Sequence, residues 1–116
     1  MVNNVETFMA AARIAVAGAD WFRAAGTAQS TGTKVLSISG DCERPGIYEY
    51  PFGVTIAEIL QDCGGADARA VQVAGAAGNT VPASDFGRSI AFEDCATAGS
   101  LMVFGQQRDL LDMVQN

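Results

Sequence analysis

Two strand-like segments joined by a turn, and a capped helix after them, occupy residues 34–65 and constrain the fold more than any other part of the chain. Aliphatic residues alternate with serine over 35–39, as in a half-buried strand. Strand character resumes over 47–50, after a turn that contains Pro45 and Gly46. Residues 34–50 are therefore predicted to form a β-hairpin.

The helix after the hairpin has a start signal, an apolar face and a stop signal. Thr55 and Glu58 have the T-x-x-E spacing of a capping box, in which each side chain accepts a hydrogen bond from the other residue's backbone N–H. Gly64 and Gly65 are typical of a helix C-terminus. The apolar stripe that should pack on the sheet consists of Ile56, Ile59, Leu60 and Cys63.

Two helices are predicted before the hairpin. The first covers residues 3–17, and the side chain of Asn4 can cap it. The second is short and is expected to be capped by Asp20, with Trp21 and Phe22 as anchors against the main body. The apolar face of the first helix consists of Val5, Phe8, Met9, Ala12 and Val16.

The segment after Gly65 supplies the remaining strands. Residues 70–73 read as a strand, and residues 80–83 as an edge strand, because Pro82 cannot donate a ladder hydrogen bond. The apolar run 101–104 is expected to be a fully buried strand. Core contacts under the long loop before it are expected from Phe86, Ile90 and Phe92.

These elements predict an α+β fold, specifically a β-grasp (ubiquitin-like) sheet of four to five strands packed on one central helix. Residues 1–32 would be an N-terminal helical extension with a linker, and residues 33–105 the β-grasp domain. Residues 106–116 would begin a C-terminal helix with no stop signal, which we interpret as a truncated helix.

Composition excludes several classes of partner. The net charge is -6, and the seven basic residues are scattered, so neither nucleic-acid binding nor an anionic-lipid patch is expected. No apolar run approaches the roughly 20 residues of a membrane span, so direct membrane insertion is not expected. The N-terminus lacks the pattern of a signal peptide, which favours a cytoplasmic protein with reduced thiols.

Catalytic and metal-binding patterns are missing from the sequence. It contains no histidine, and Cys42, Cys63 and Cys95 lack zinc or iron–sulfur spacing, so we predict no catalytic residue and no metal ligand. Cys63 is expected in the core and Cys42 at the surface. The adjacent Glu93 and Asp94 are interpreted as a solvated acidic pair rather than an acid/base couple.

Four segments in order resemble one family: NNVET (3–7), GADWFRAAGTAQSTGTKVLSISGD (18–41), RPGIYEYPFGVTIAEIL (44–60) and GSLMVFGQQRDLLDMV (99–114). The chain resembles the NADH-binding flavoprotein subunit of respiratory complex I. It also resembles the soluble relatives of that subunit, the diaphorase subunits of NAD-reducing hydrogenases and of NAD-dependent formate dehydrogenases.

The resemblance implies a soluble ligand-binding β-grasp domain set between two functional domains of a longer chain. The preceding domain would bind FMN and NADH, and the following one would carry a 4Fe-4S cluster, so no cofactor is expected within these residues. Both domains, and a neighbouring iron–sulfur subunit, are the implied partners. On the NNVET match, Asn3, Asn4 and Thr7 would edge the FMN pocket of the intact subunit.

The implied function is that of a non-catalytic structural or interaction domain in a subunit that passes electrons from NADH through FMN to iron–sulfur clusters. One alternative stays open at this point. The chain could be a free-standing ligand-binding β-grasp module of the polysaccharide or cobalamin type.

Overall fold

A five-stranded mixed sheet forms the body of the protein in a computed structural model that describes residues 1–115. The strands are β1 (Thr33–Gly40), β2 (Gly46–Pro51), β3 (Ala70–Val73), β4 (Asn79–Pro82) and β5 (Ser100–Phe104). The α-helices are α1 (Val5–Ala17), α2 (Ala19–Arg23), α3 (Ile56–Cys63) and α4 (Leu110–Gln115). A short 3-10 helix, Ala83–Asp85, follows β4.

The strand order is β2-β1-β5-β3-β4. The β1–β2 hairpin is antiparallel, β5 runs parallel to β1, and β3 is antiparallel to both β5 and β4. This is the β-grasp arrangement, in which a chain segment that includes a helix crosses between the hairpin and the central parallel strand. The predicted α+β fold is confirmed, and β4 lies at the edge as Pro82 indicated.

One face of the sheet packs against α3. The register places Ile38 opposite Leu101 and Val71 opposite Val103, so apolar side chains from neighbouring strands lie side by side over the helix. The predicted stripe of α3 is confirmed, since all four of its side chains are buried: Ile56, Ile59, Leu60 and Cys63.

Reciprocal hydrogen bonds begin α3. The Thr55 hydroxyl accepts from the Glu58 backbone N–H at 3.2 Å, and the Glu58 carboxylate accepts from the Thr55 N–H at 2.9 Å. The hydrogen bonds from the Thr55 backbone and side chain hold the pKa of Glu58 below its usual value. At the other end Gly64 adopts φ +75°, a left-handed conformation that favours glycine.

Two predictions about the core are wrong. Met102 is 43% exposed, because alternate side chains of β5 point to the face of the sheet opposite α3, so this strand is not fully buried. Phe92 is 69% exposed and packs on Phe52 at 5.2 Å between ring centroids. Ile90 is buried and Phe86 partly buried, as predicted.

The second helix differs from its prediction. Gly18, with φ +89°, precedes α2 as its N-cap, while Asp20 lies in the first turn and pairs with Arg23 at 3.4 Å. Trp21 is about half exposed and is not a core anchor, whereas Phe22 packs closely on Gly32. The last predicted helix starts at Leu110, and its expected final residue, 116, lies outside the described part of the chain.

Candidate functional site

The residues predicted to edge a flavin pocket lie together at the start of α1. Asn4 caps the helix, since its Oδ1 accepts from the Glu6 backbone N–H at 2.9 Å. Asn3 and Thr7 are exposed, Asn3 just before the cap and Thr7 in the first turn. Their role toward FMN stays a prediction.

An ion pair that the sequence did not indicate fixes this helix to the sheet. Glu6 accepts from Lys34 Nζ at 2.8 Å and from the Val35 backbone N–H at 3.1 Å. Partial burial opposes ionisation of Glu6, but the hydrogen bonds from Lys34 and Val35 outweigh it and lower the pKa of this carboxyl. We call this contact the β1-start anchor.

A groove of about 740 Å³ lies between α1, α2 and the first two strands. Its floor includes Val35 and Glu49, and its walls are mostly apolar. The Arg13 guanidinium lies 5.7 Å from the centroid of the Trp21 ring, within cation–π range. The lining residues are Glu6, Met9, Ala10, Ala12, Arg13, Val16, Trp21, Phe22, Ala25, Gly32, Thr33, Val35 and Glu49.

A second ion pair fixes the segment before α4 to the opposite end of β1. Asp41 accepts from Arg108 Nε at 2.7 Å and Nη2 at 2.8 Å, and from the Gly105 backbone N–H at 3.0 Å. The hydrogen bonds from Arg108 and Gly105 hold the pKa of Asp41 well below its usual range. We call this contact the β1-end anchor.

The two anchors lie at opposite ends of one strand. Lys34 is the second residue of β1 and Asp41 directly follows its last residue, seven positions further on. At a rise of about 3.3 Å per residue, the two positions are about 23 Å apart. β1 therefore holds α1 and the start of the α4 segment at a fixed separation.

A third contact joins the linker before β1 to the loop before β5. Glu93 accepts from the hydroxyls of Thr27 and Ser30, and Ser30 Oγ accepts from the Phe92 backbone N–H at 3.0 Å. The hydrogen bonds from the hydroxyls of Ser30 and Thr27 lower the pKa of Glu93. Glu93 therefore has a structural role.

Asp94, its neighbour, is also held by protein groups. It accepts from the Ser89 backbone N–H at 2.8 Å and from Arg88 Nε at 3.0 Å, and these bonds lower its pKa. The predicted acidic pair thus lies in a loop and consists of two separately hydrogen-bonded carboxylates. Neither carboxylate is poised near neutral pH for acid/base chemistry.

Within residues 1–115, no three His, Cys, Asp or Glu side chains cluster closely enough to hold a metal ion. Nor does any helix in that range have the length and hydropathy needed to cross a membrane.

Comparison with known proteins gives a consistent family, although no protein-family model matches the chain. The alpha subunit of the NAD-reducing hydrogenase HoxS of Cupriavidus necator is 52% identical over 116 residues, which cover 99% of this chain and 19% of that protein. An F subunit of the NADH-quinone oxidoreductase of Rhizobium meliloti is 30% identical over 107 residues, covering 88% of this chain and 25% of that protein.

The chain belongs to the family of NADH-quinone oxidoreductase F subunits and the hydrogenase subunits related to them. The resemblance stated from the sequence is confirmed. A crystal structure of NAD+-reducing NiFe hydrogenase in the H2-reduced state shares the fold with a TM-score of 0.89 and 42% identity. That match covers 94% of this chain and 19% of the hydrogenase chain. This family member thus spans about a fifth to a quarter of the length of these relatives.

Proposed function

We propose that this chain is a non-catalytic structural domain of an NADH dehydrogenase or diaphorase flavoprotein subunit. In such proteins electrons pass from NADH through FMN to iron–sulfur clusters. The domain would hold the flavin domain and the 4Fe-4S domain of the same parent chain at a fixed separation, and it would contact a neighbouring iron–sulfur subunit. The observation that carries the proposal is the pair of anchors at the two ends of β1.

The β1-start anchor supports an assignment of residues 1–32 to the flavin side. It fixes the first turn of α1, where Asn3, Asn4 and Thr7 lie, through Glu6, Lys34 and the Val35 backbone. In the proposed parent subunit these three residues edge the FMN pocket, so the anchor positions them relative to the sheet.

The β1-end anchor supports an assignment of residues 106–116 to the iron–sulfur side. Arg108 is held in a bidentate contact by Asp41, and Arg69 Nη1 donates to the Arg108 carbonyl at 3.0 Å. This geometry fixes the direction in which α4 leaves the β-grasp body, residues 33–105. A segment held in this way would set the orientation of the following domain relative to the sheet.

The groove beside α1 supports the proposed contacts with other domains. Several large apolar side chains are at least partly exposed along it, which is typical of a surface that another domain or subunit covers. A cytoplasmic location, with the parent complex free or peripheral to the membrane, follows from the same proposal.

Titration with FMN and with NADH, each followed by fluorescence, tests the proposal on the chain itself. We expect no binding at sub-millimolar concentration, because the proposed flavin domain supplies the remainder of the pocket. Saturable flavin quenching below 100 µM, on the order of a typical enzyme site, would contradict a purely structural role. NMR shift perturbation by cobalamin or by oligosaccharides would instead support a free-standing ligand-binding module.

A further inference from the structure

Two cysteines far apart in sequence meet where the hairpin turn contacts the end of α3. Cys42 lies in the β1–β2 turn and Cys63 is the last residue of α3. Backbone hydrogen bonds join the two segments: the Arg44 N–H donates to the Cys63 carbonyl at 2.8 Å, and the Glu43 N–H to the Gly64 carbonyl at 3.4 Å. The turn is thus held against the helix end independently of the thiols.

The two cysteines lie at the same contact between turn and helix but differ in exposure. Cys63 is fully buried, and its Sγ donates to the Leu60 carbonyl at 3.6 Å. Cys42 is half-buried and packs at the edge of the core cluster that contains Cys63. Cys42 Cβ is only 3.4 Å from the point where a Cβ on Gly65 would lie, so no side chain separates the turn from the helix end.

We propose that Cys42 and Cys63 are a reversible dithiol–disulfide pair that responds to low-molecular-weight disulfides such as oxidised glutathione. Cys42 is the attacking thiol, because it is the more exposed of the two. Cys63 is the resolving thiol. This proposal does not depend on the assignment of the domain to an electron-transferring protein.

The chemistry consists of two exchange steps. The Cys42 thiolate attacks one sulfur of the small disulfide, which breaks its S–S bond and releases one small thiol. Cys63 then loses its proton, and its sulfur attacks the Cys42 sulfur of the mixed disulfide and releases the second small thiol. The two cysteines together lose two protons and two electrons, and the small disulfide is reduced to two thiols.

Burial is the main cause that raises the pKa of the Cys63 thiol, and Cys42 is the second. The raised pKa favours the protonated thiol before Cys42 has reacted. The backbone N–H groups of Gly65 and Cys63 act in the opposite direction and favour the thiolate. These amides can stabilise the Cys63 thiolate in the second step. Because Cys63 is fully buried and its pKa is raised, it is a poor first nucleophile, and we assign it the resolving step.

Cys95 provides an internal control. It is buried in the loop before β5, directly after Asp94 of the Arg88–Asp94 ion pair, and burial raises the pKa of its thiol. It should stay reduced under conditions that oxidise the other two.

The test is incubation of the chain in glutathione buffers of increasing oxidation, followed by alkylation and peptide mapping by mass spectrometry. We expect a loss of two hydrogen masses, a peptide that links Cys42 to Cys63, alkylated Cys95, and full reversal by dithiothreitol. Because the disulfide closes a loop that contains β2 and α3, we also expect Tm to rise by roughly 5–10 °C.

Two variants test the assigned order. Cys63→Ala should accumulate the mixed disulfide of Cys42 with glutathione, whereas Cys95→Ala should form the internal link as the unchanged chain does. The proposal fails if the unchanged chain yields only a Cys42–glutathione adduct, a link to Cys95, or no oxidation. Since that readout comes from the unchanged chain, a folding defect in either variant does not obscure it.

Discussion

Arg108 donates two hydrogen bonds to Asp41 across 67 residues of sequence, at 2.7 and 2.8 Å. This bidentate contact is the geometry that arginine adopts with carboxylates when orientation matters. It joins the residue directly after β1 to the segment that leads into α4. Since Asp41 also accepts from the Gly105 N–H, the path of the chain out of β5 is fixed at two points.

Replacement of Arg108 should loosen the α4 segment without unfolding the domain. In Arg108→Ala we expect faster amide hydrogen exchange over residues 105–113 and little change in Tm, because the ion pair is partly exposed to solvent. Arg23→Ala, which removes the exposed pair with Asp20, is the matched control and should leave exchange in that segment unchanged. Unaltered exchange in Arg108→Ala would show that Asp41 does not hold the segment.

Removal of the central apolar contact of α3 should destabilise the folded domain strongly. Ile59→Ala leaves a cavity at a fully buried site and should lower the free energy of unfolding by about 2–5 kcal/mol, measured by urea denaturation. Gln61→Ala, on the exposed side of the same helix, should change it by less than about 0.5 kcal/mol. A similar small loss in Ile59→Ala would mean that α3 packs elsewhere.

The contribution of the α3 capping box to stability should be measurable with single substitutions. Thr55→Ala removes the acceptor of the Glu58 N–H and should lower the free energy of unfolding by about 1 kcal/mol. Thr55→Ser keeps the hydroxyl oxygen and should recover most of that loss. Equal stability of the alanine and serine variants would indicate that the hydroxyl contributes nothing to the helix start.

The β1-start anchor should weaken in acid. The folded-state pKa of Glu6 is lowered, so the stabilisation is fully present above the unfolded-state value near 4.5 and is lost as pH falls through the folded value. Hydrogen–deuterium exchange of the Val35 amide, referred to that of a core amide such as Val71, should therefore accelerate below pH 4.5. Glu6→Gln should remove this pH step, and a step that persists would have another source.

The anchors can also be tested in an intact flavoprotein subunit of the kind proposed. With Glu6→Gln and Arg108→Ala combined, NADH oxidation by an artificial acceptor that takes electrons at the flavin should persist, while electron delivery to the iron–sulfur clusters slows. Stopped-flow absorbance separates the two steps. Arg23→Ala should affect neither, and unchanged cluster reduction in the double variant would contradict the proposed spacing role.

Local signals predicted the centre of this fold well. Three of these signals belong to α3 and its ends: the capping box at Thr55, the apolar stripe and the glycine at position 64. Because they lie within about ten residues of one another, a short stretch of sequence is enough to predict this helix. The hairpin was equally predictable, because alternation and a Pro-Gly turn are short-range features. The resemblance in four ordered segments then fixed the family.

The contacts that position the candidate site could not be predicted in this way. Glu6 with Lys34, Asp41 with Arg108, and Glu93 with Ser30 are separated by 28, 67 and 63 residues, and nothing near either partner signals the other. Phe92 was misplaced for a related reason. Its hydrophobicity indicated burial, but the loop is oriented by Glu93 and Asp94, and their hydrogen bonds leave the Phe92 ring outside the core.

Because both anchors attach to β1, the length of that strand is under tighter constraint than its composition. A one-residue insertion within β1 would displace Asp41 by about 3.3 Å relative to Lys34 and turn every later side chain of the strand to the opposite face. Members of the family should therefore tolerate length changes in the turn before β4 or in the loop before β5, but not within β1. In an alignment of the family, the absence of gaps in β1, more than its residue identities, should show that this strand sets the distance between α1 and the α4 segment.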